Sequence, residues 1–165
     1  MKKEYDGKLL KVYSFQKKLP TGVLASLEMI KHPGAALIVP FLSKTKIIML
    51  YQFRAVLGKY IYELPAGTLE TTEAHLSCAK REIIEETGYK AKSFLKLGYI
   101  YPVPGYSTEK IVCYKAERLE KVETSFDKDE VIKIKILTIP QLRNMLGSGK
   151  IVDAKTICAL RMCGI

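Results

Sequence analysis

The chain has 165 residues, 48% of them apolar, and carries 27 Lys and Arg against 17 Asp and Glu, a formal charge of +10. That length supports one hydrophobic core and excludes two comfortable domains; no apolar run reaches the roughly 18 residues a membrane-spanning helix needs, and the charged, alternating N-terminus lacks the apolar centre of a secretory signal. A soluble, cytoplasmic protein with no membrane partner is expected. Cys78, Cys113, Cys158 and Cys163 show no CxxC spacing and sit in apolar periodic segments, which reads as buried thiols in a reducing compartment. His32 and His75 are too few and too scattered for a zinc centre. The lysines are spread without an Arg-rich run, an RNP-like aromatic pattern or a helix-turn-helix or zinc-finger signature, so the charge reads as a solvated surface favouring phosphate-bearing substrates over nucleic acid.

The predicted elements begin with two alternating runs, Leu10 to Phe15 and Val23 to Met29, parted by Leu19-Pro20-Thr21-Gly22, the pattern of an antiparallel hairpin. His32-Pro33-Gly34 then punctuates the chain, dividing an N-terminal β unit, residues 1–33, from a main domain, residues 34–165. Ala35 to Leu42 and Lys46 to Phe53 are nearly continuous apolar runs around a polar turn and read as buried strands. Arg54 stands at the end of the second, and Tyr60 to Leu64 is a further strand stopped by Pro65-Ala66-Gly67. A helix follows, with Thr71 or Thr72 as N-cap and Leu76, Ala79 and Ile83 as its core stripe. Phe94 to Tyr101, Ile111 to Ala116 and Val131 to Leu137 are strands, with a charged loop over Leu119 to Glu130; Ile139 to Leu146 and Asp153 to Met162 are helices. Strands interleaved with helices in this order predict an α/β sandwich around a mixed sheet.

The first helix puts charge where a helix does not want it. Glu82, Glu85 and Glu86 are spaced i, i+3, i+4 on one face, just before Gly88, which reads as the residue ending the helix. Three carboxylates therefore crowd the negative end of the macrodipole, and each like-charged neighbour pair adds a cost of about 0.2–0.5 kcal/mol. A bound divalent cation resolves the conflict, since hard carboxylate oxygens suit Mg²⁺ or Mn²⁺. Two or more such ions, bridged by Glu82, Glu85 and Glu86, would clamp a diphosphate, neutralise its charge and lower the pKa of a bound water, which is metal-assisted hydrolysis of a phosphoanhydride. Arg81, four residues before Glu85 and eight after Glu73, is placed to orient both carboxylates.

From Gly67 the segment resembles the Nudix box: a Gly, five residues, Glu73, seven residues, Arg81-Glu82, Ile83, one residue, Glu85-Glu86, one residue and Gly88, with Tyr89 where the pattern asks for an aliphatic residue. At about 7% per fixed position, seven matches somewhere in a chain of this length arise by chance roughly once in a million. The resemblance implies a Nudix-like α/β/α sandwich around a mixed β-sheet, and a backbone carbonyl at the turn before the helix, that of Ala66, as a further metal ligand.

The loop Pro104-Gly105-Tyr106-Ser107-Thr108-Glu109 is similar to the proline-bearing signature of the ADP-ribose pyrophosphatase branch, although Val103 stands where that branch more often has Ser. The resemblance implies Glu109 as general base or additional metal-side carboxylate, and Gly105 and Tyr106 at the substrate. Gln52-Phe53-Arg54, Glu63-Leu64-Pro65-Ala66-Gly67 and Asp153-Ala154-Lys155-Thr156 look like the same branch, in which Arg54 would bind the substrate's phosphates and an N-terminal aromatic, Tyr13 or Phe15, would stack on the base across a homodimer. The implied reaction is hydrolysis of ADP-ribose to AMP and ribose 5-phosphate. Other Nudix substrates (an ADP-sugar, a dinucleoside polyphosphate, an oxidised dNTP or a capped RNA) and a non-catalytic nucleotide-binding module are the alternatives.

Overall fold

In a computed structural model, which describes residues 1–7, 10–123 and 131–165, the chain forms two sheets. Three antiparallel strands, β1 (Lys2–Asp6), β2 (Lys11–Lys18) and β3 (Leu24–Ile30), make the first, in the order β1-β2-β3. The predicted hairpin is the β2–β3 pair, with Phe15 opposite Leu27. β1 is an addition to it: all of its residues are exposed, so no apolar period marks it in the sequence.

The second sheet contains β4 (Ala35–Ser43), β5 (Lys46–Arg54), β6 (Lys59–Glu63), β7 (Ala66–Thr68), β8 (Tyr89–Ile100), β9 (Ile111–Lys121) and β10 (Ile132–Thr138). Its order is β10-β5-β4-β9-β8, with β6 paired to β5 and β7 to β4. β4 and β9 run parallel while the other described pairs are antiparallel, so the sheet is mixed.

Alternation along β4 divides the core between the two faces of this sheet. Ala36 and Ile38 pack against Cys78, Ala79 and Ile83 of α1 (His75–Thr87). Ala35, Leu37, Val39 and Phe41 pack against α2 (Ile139–Gly147) and α3 (Ala154–Met162) through residues such as Leu142 and Leu160. The result is an α/β/α sandwich. Because β4 is covered on both sides, its sequence is apolar throughout rather than alternating. Leu37 and Ile38 are fully buried, each worth about 1.5–3 kcal/mol. At the N-termini of α2 and α3, the Thr138 hydroxyl accepts from the Gln141 N–H, and Asp153 accepts from the Thr156 N–H, so both late helices are capped where the sequence places them.

Five readings need correction. The N-cap of α1 is Ala74, not Thr71 or Thr72; the Glu73 carboxylate is drawn to Arg81 two turns on, and the helix starts after it. Leu76 then falls in the first turn and is 38% exposed, while Cys78 joins the core stripe. Ala66 and Gly67 lie in a short strand rather than a bare turn, because β4 offers them pairing partners at Ala36 and Leu37. β9 continues past Ala116 to Lys121, since β8 stays paired to it out to Tyr89 and the exposed ribbon satisfies its charges, Lys92 with Glu120 and Lys115 with Glu117; residues 124–130 of the expected loop lie outside the described residues. Finally, Cys78 and Cys113 are buried free thiols, but Cys158 is exposed on α3.

Candidate functional site

β7 lies against α1, and this contact builds one wall of a pocket of about 620 Å³. Glu82, Glu85 and Glu86 of α1 line it together with Glu109, Arg54 and Lys155, which come from three other parts of the chain. Ala66, Gly67 and Arg81 line it as well. The helix ends on Gly88 in the left-handed region, φ 70°, where its N–H returns to the Ile84 carbonyl, so the acidic turn is the last one, as the spacing implies.

Each carboxylate is individually placed. Glu86 is only 4% exposed, and its Oε2 accepts from the Ala66 N–H at 2.8 Å. Glu82 lies directly against Gly67: a Cβ on that glycine would overlap the Glu82 carboxylate. Because the obstructed group is the flexible end of a side chain, Gly67→Ala should fold normally while pushing Glu82 from its place. Its kcat is expected to fall about 100-fold, the cost of misplacing a reacting group by an ångström, with an unchanged thermal unfolding midpoint. A wild-type kcat would show that the contact has no bearing on turnover.

Arg81 ties the acidic residues together. Its Nη1 donates to Glu82 Oε1 at 2.6 Å and to Glu85 Oε2 at 2.9 Å, and its Nε and Nη2 donate to Glu73 at 3.1 and 2.9 Å. The planar fork of donors suits this use, which a point-charge lysine could not reproduce. Hydrogen bonding to Arg81 holds the Glu73 carboxyl down at about 2, against an ordinary 4.5. A folded-state value below the unfolded one contributes stability above the unfolded pKa that is lost as pH falls. Wild-type and Glu73→Gln proteins, compared by urea unfolding, should therefore differ near neutral pH and converge as pH drops from 4.5 toward 2. A gap that does not change with pH would remove the Glu73–Arg81 pair as its cause.

Just upstream of the box, Arg54 donates to both oxygens of Glu63, from Nε at 2.7 Å and from Nη2 at 2.6 Å. Glu63 is 1% exposed and also accepts from Lys155 Nζ at 2.6 Å, which in turn donates to Asp153 at 2.9 Å. Burial alone would push the Glu63 carboxyl up, but Arg54 and Lys155 outweigh it and hold it low. Two cations thus share one buried anion at the pocket. Glu63, Lys155 and Asp153 are absent from the residues that sequence reasoning selects for the site; their only signal is the resemblance of the two segments that contain them to one family branch.

Glu109 lies on the same pocket, 25% exposed along its side chain. Gly105 and Tyr106 do not. They line a second cavity of about 990 Å³, together with Phe15 and Leu27 of the N-terminal sheet. Tyr13, the other aromatic considered for the base, is not among that cavity's lining residues.

Among the described residues, no three His, Cys, Asp or Glu side chains stand in the arrangement of a ready metal cage. Arg81 and the Ala66 N–H hold the carboxylates of the box instead. The donor set nevertheless fits a hard divalent cation: the carboxylates on the pocket belong to Glu and Asp, no His or Cys lines it, and the absence of a side chain at Gly67 is what lets the Glu82 carboxylate lie against the backbone of β7.

The model of the NUDIX domain family matches residues 31–160. The ADP-ribose pyrophosphatase of Bacillus subtilis (strain 168) is 36% identical over 159 residues, 95% of this chain and 86% of that protein, and the methanol dehydrogenase activator of Bacillus methanolicus is 33% identical over the same shares of the two chains. Among solved structures, that of an ADP compounds hydrolase superposes with a TM-score of 0.86 over 98% of this chain and 88% of its own, at 20% identity, which is a likeness of fold.

Proposed function

The chain belongs to the NUDIX domain family and is a Nudix pyrophosphohydrolase, and from that premise we propose that it hydrolyses the diphosphate bond of ADP-ribose, or of a close ADP-sugar, releasing AMP and a sugar phosphate. The observation that carries this reading is the single pocket that gathers the box glutamates, Glu109, and the cation pair Arg54 and Lys155. A diphosphate needs cations to receive it, an oxygen-donor site for metal, and a base for the attacking water, and residues of the right chemistry for each of these roles line that pocket. The substrate class is supported by the similarity to the B. subtilis ADP-ribose pyrophosphatase over nearly the whole chain.

Glu82, Glu85, Glu86 and the Ala66 carbonyl would hold Mg²⁺, with Mn²⁺ as a substitute. When bound, the metal supplies charge neutralisation at the diphosphate and a bound water of lowered pKa. Arg81 keeps Glu82 and Glu85 aimed at that position. Arg54 and Lys155 receive the phosphate oxygens, oriented by their common hold on Glu63. Glu109 accepts the proton of the attacking water. Gly105, Tyr106 and Phe15 offer the second cavity to the rest of the substrate. In this reading residues 1–33 are a β unit attached to a Nudix domain of residues 34–165, a division supported by the family match beginning at residue 31. The active form is a homodimer in the cytoplasm, and light scattering on the purified protein tests its oligomeric state.

The deciding experiment is a hydrolysis screen of ADP-ribose, ADP-glucose, NADH and 8-oxo-dGTP with Mg²⁺, with products identified by chromatography. AMP and ribose 5-phosphate from ADP-ribose are expected. Intact ADP-ribose beside a cleaved second substrate would overturn the assignment.

A further inference from the structure

The loop that carries Glu109 is fastened to the short connection between the two sheets, and the fastening includes a histidine that points at Glu109. The Ile30 N–H donates to the Tyr106 carbonyl at 2.7 Å, and the Thr108 N–H donates to the Ile30 carbonyl at 3.0 Å. The His32 N–H donates to the Thr108 hydroxyl at 2.9 Å, and that hydroxyl donates back to the His32 carbonyl at 3.2 Å. Four bonds thus set the backbone of residues 106–108 against residues 30–32. The side chain of His32 continues the contact. Its Nδ1 accepts from the Gly34 N–H at 3.0 Å, so that nitrogen carries no proton and the ring proton of the neutral imidazole sits on Nε2. Nε2 lies 3.9 Å from Glu109 Oε1, both side chains being mostly buried, at 19% and 25% exposure. Gly34, with φ +107°, is the residue whose backbone turns back on the ring.

We propose that His32 is a positioning residue for Glu109. Its Nε2–H is the donor that holds one carboxylate oxygen and leaves the other turned to the pocket. The separation of 3.9 Å is longer than a hydrogen bond; catalytic contacts that are long in the free protein tighten when substrate is bound. The arrangement follows the general logic of a base oriented by a third group. A fixed Nδ1 acceptor leaves the ring one tautomer, and the tautomer supplies one donor, aimed at one oxygen. This inference rests on the reading of Glu109 as the base.

Asn and Gln separate the two halves of the ring. In His32→Asn the amide oxygen can replace Nδ1 toward Gly34 but nothing replaces Nε2–H; in His32→Gln the amide reaches toward Glu109. Kinetics on the diphosphate substrate with Mg²⁺ should show kcat reduced about 10-fold in His32→Asn with KM within about 2-fold, and largely restored in His32→Gln. Glu109→Gln should lower kcat by about 100-fold or more, and adding His32→Asn to it should have no further effect. In the metal-free protein, the imidazole ¹⁵N spectrum should show His32 protonated at Nε2 and not at Nδ1, in both wild type and Glu109→Gln. A wild-type kcat in His32→Asn beside an inactive Glu109→Gln overturns the proposal and leaves the role of Glu109 standing. Equal losses from His32→Asn in both backgrounds, or a proton on Nδ1, also overturn it. A fully active Glu109→Gln removes both the base and its positioning residue.

Discussion

Replacing Glu86 with Gln is expected to lower turnover by at least about 10³-fold, some 4 kcal/mol of transition-state stabilisation, without lowering the stability of the metal-free protein. Glu86 is 4% exposed, and Gln keeps an oxygen for the Ala66 N–H that Oε2 now serves. What the substitution removes is a negative charge from the last turn of α1, beside Glu82 and Glu85 and at the negative end of the helix dipole. Neutralising that charge relieves its repulsion with Glu82 and Glu85, while Arg54, whose guanidinium the Glu86 charge favours, keeps its two bonds to Glu63. The expected signature is therefore a separation: activity lost, apo unfolding temperature equal or higher. Mg²⁺ should raise the unfolding temperature of the wild type more than that of Glu86→Gln, because a ligand stabilises only the state it binds. Near-normal kcat, or an unfolding temperature that falls along with activity, would refute the metal-site argument at this residue.

That conflict between charge and helix is also why the site was legible in the sequence. The chemistry of the box sets residue types at fixed helical spacings, and spacing survives in a sequence whatever the rest of the chain does. β4 and β5 were legible for a similar reason, since strands covered on both faces leave long apolar runs. What could not be read depends on contacts between distant residues. The start of α1 is decided by Glu73 reaching Arg81, not by the threonines that local preference selects. β1, exposed along its length, and the charged end of β9 carry no apolar period and exist because a neighbouring strand pairs with them. The Lys155–Glu63 contact spans 92 positions, and no local pattern announces it. Gly105 and Tyr106 follow the backbone of the Glu109 loop but open onto a different cavity, because the loop turns between them and Glu109 while bound to residues 30–32.

Glu63 is where the largest loss of stability is expected. Its carboxylate is 1% exposed and takes three hydrogen bonds, two from Arg54 and one from Lys155. Removing one partner from a buried charge pair costs about 3–5 kcal/mol. Here the two cations left behind retain 41% and 20% exposure and can turn toward water, which places Glu63→Ala near the lower end, at about 3 kcal/mol. Lys155→Met leaves the two-pronged Arg54 bond intact and should cost about 1 kcal/mol. Because the folded-state pKa of Glu63 lies below its ordinary value of 4.5, its contribution is complete above that pH and declines below it. Urea unfolding near neutral pH should thus separate Glu63→Ala from wild type most clearly, and acid should narrow the gap. The same substitution should raise KM about 10-fold, the cost of two phosphate-binding cations that must be ordered by the substrate itself instead of by the protein. A loss below about 1 kcal/mol with unchanged KM would mean that Arg54 and Lys155 find their positions without Glu63.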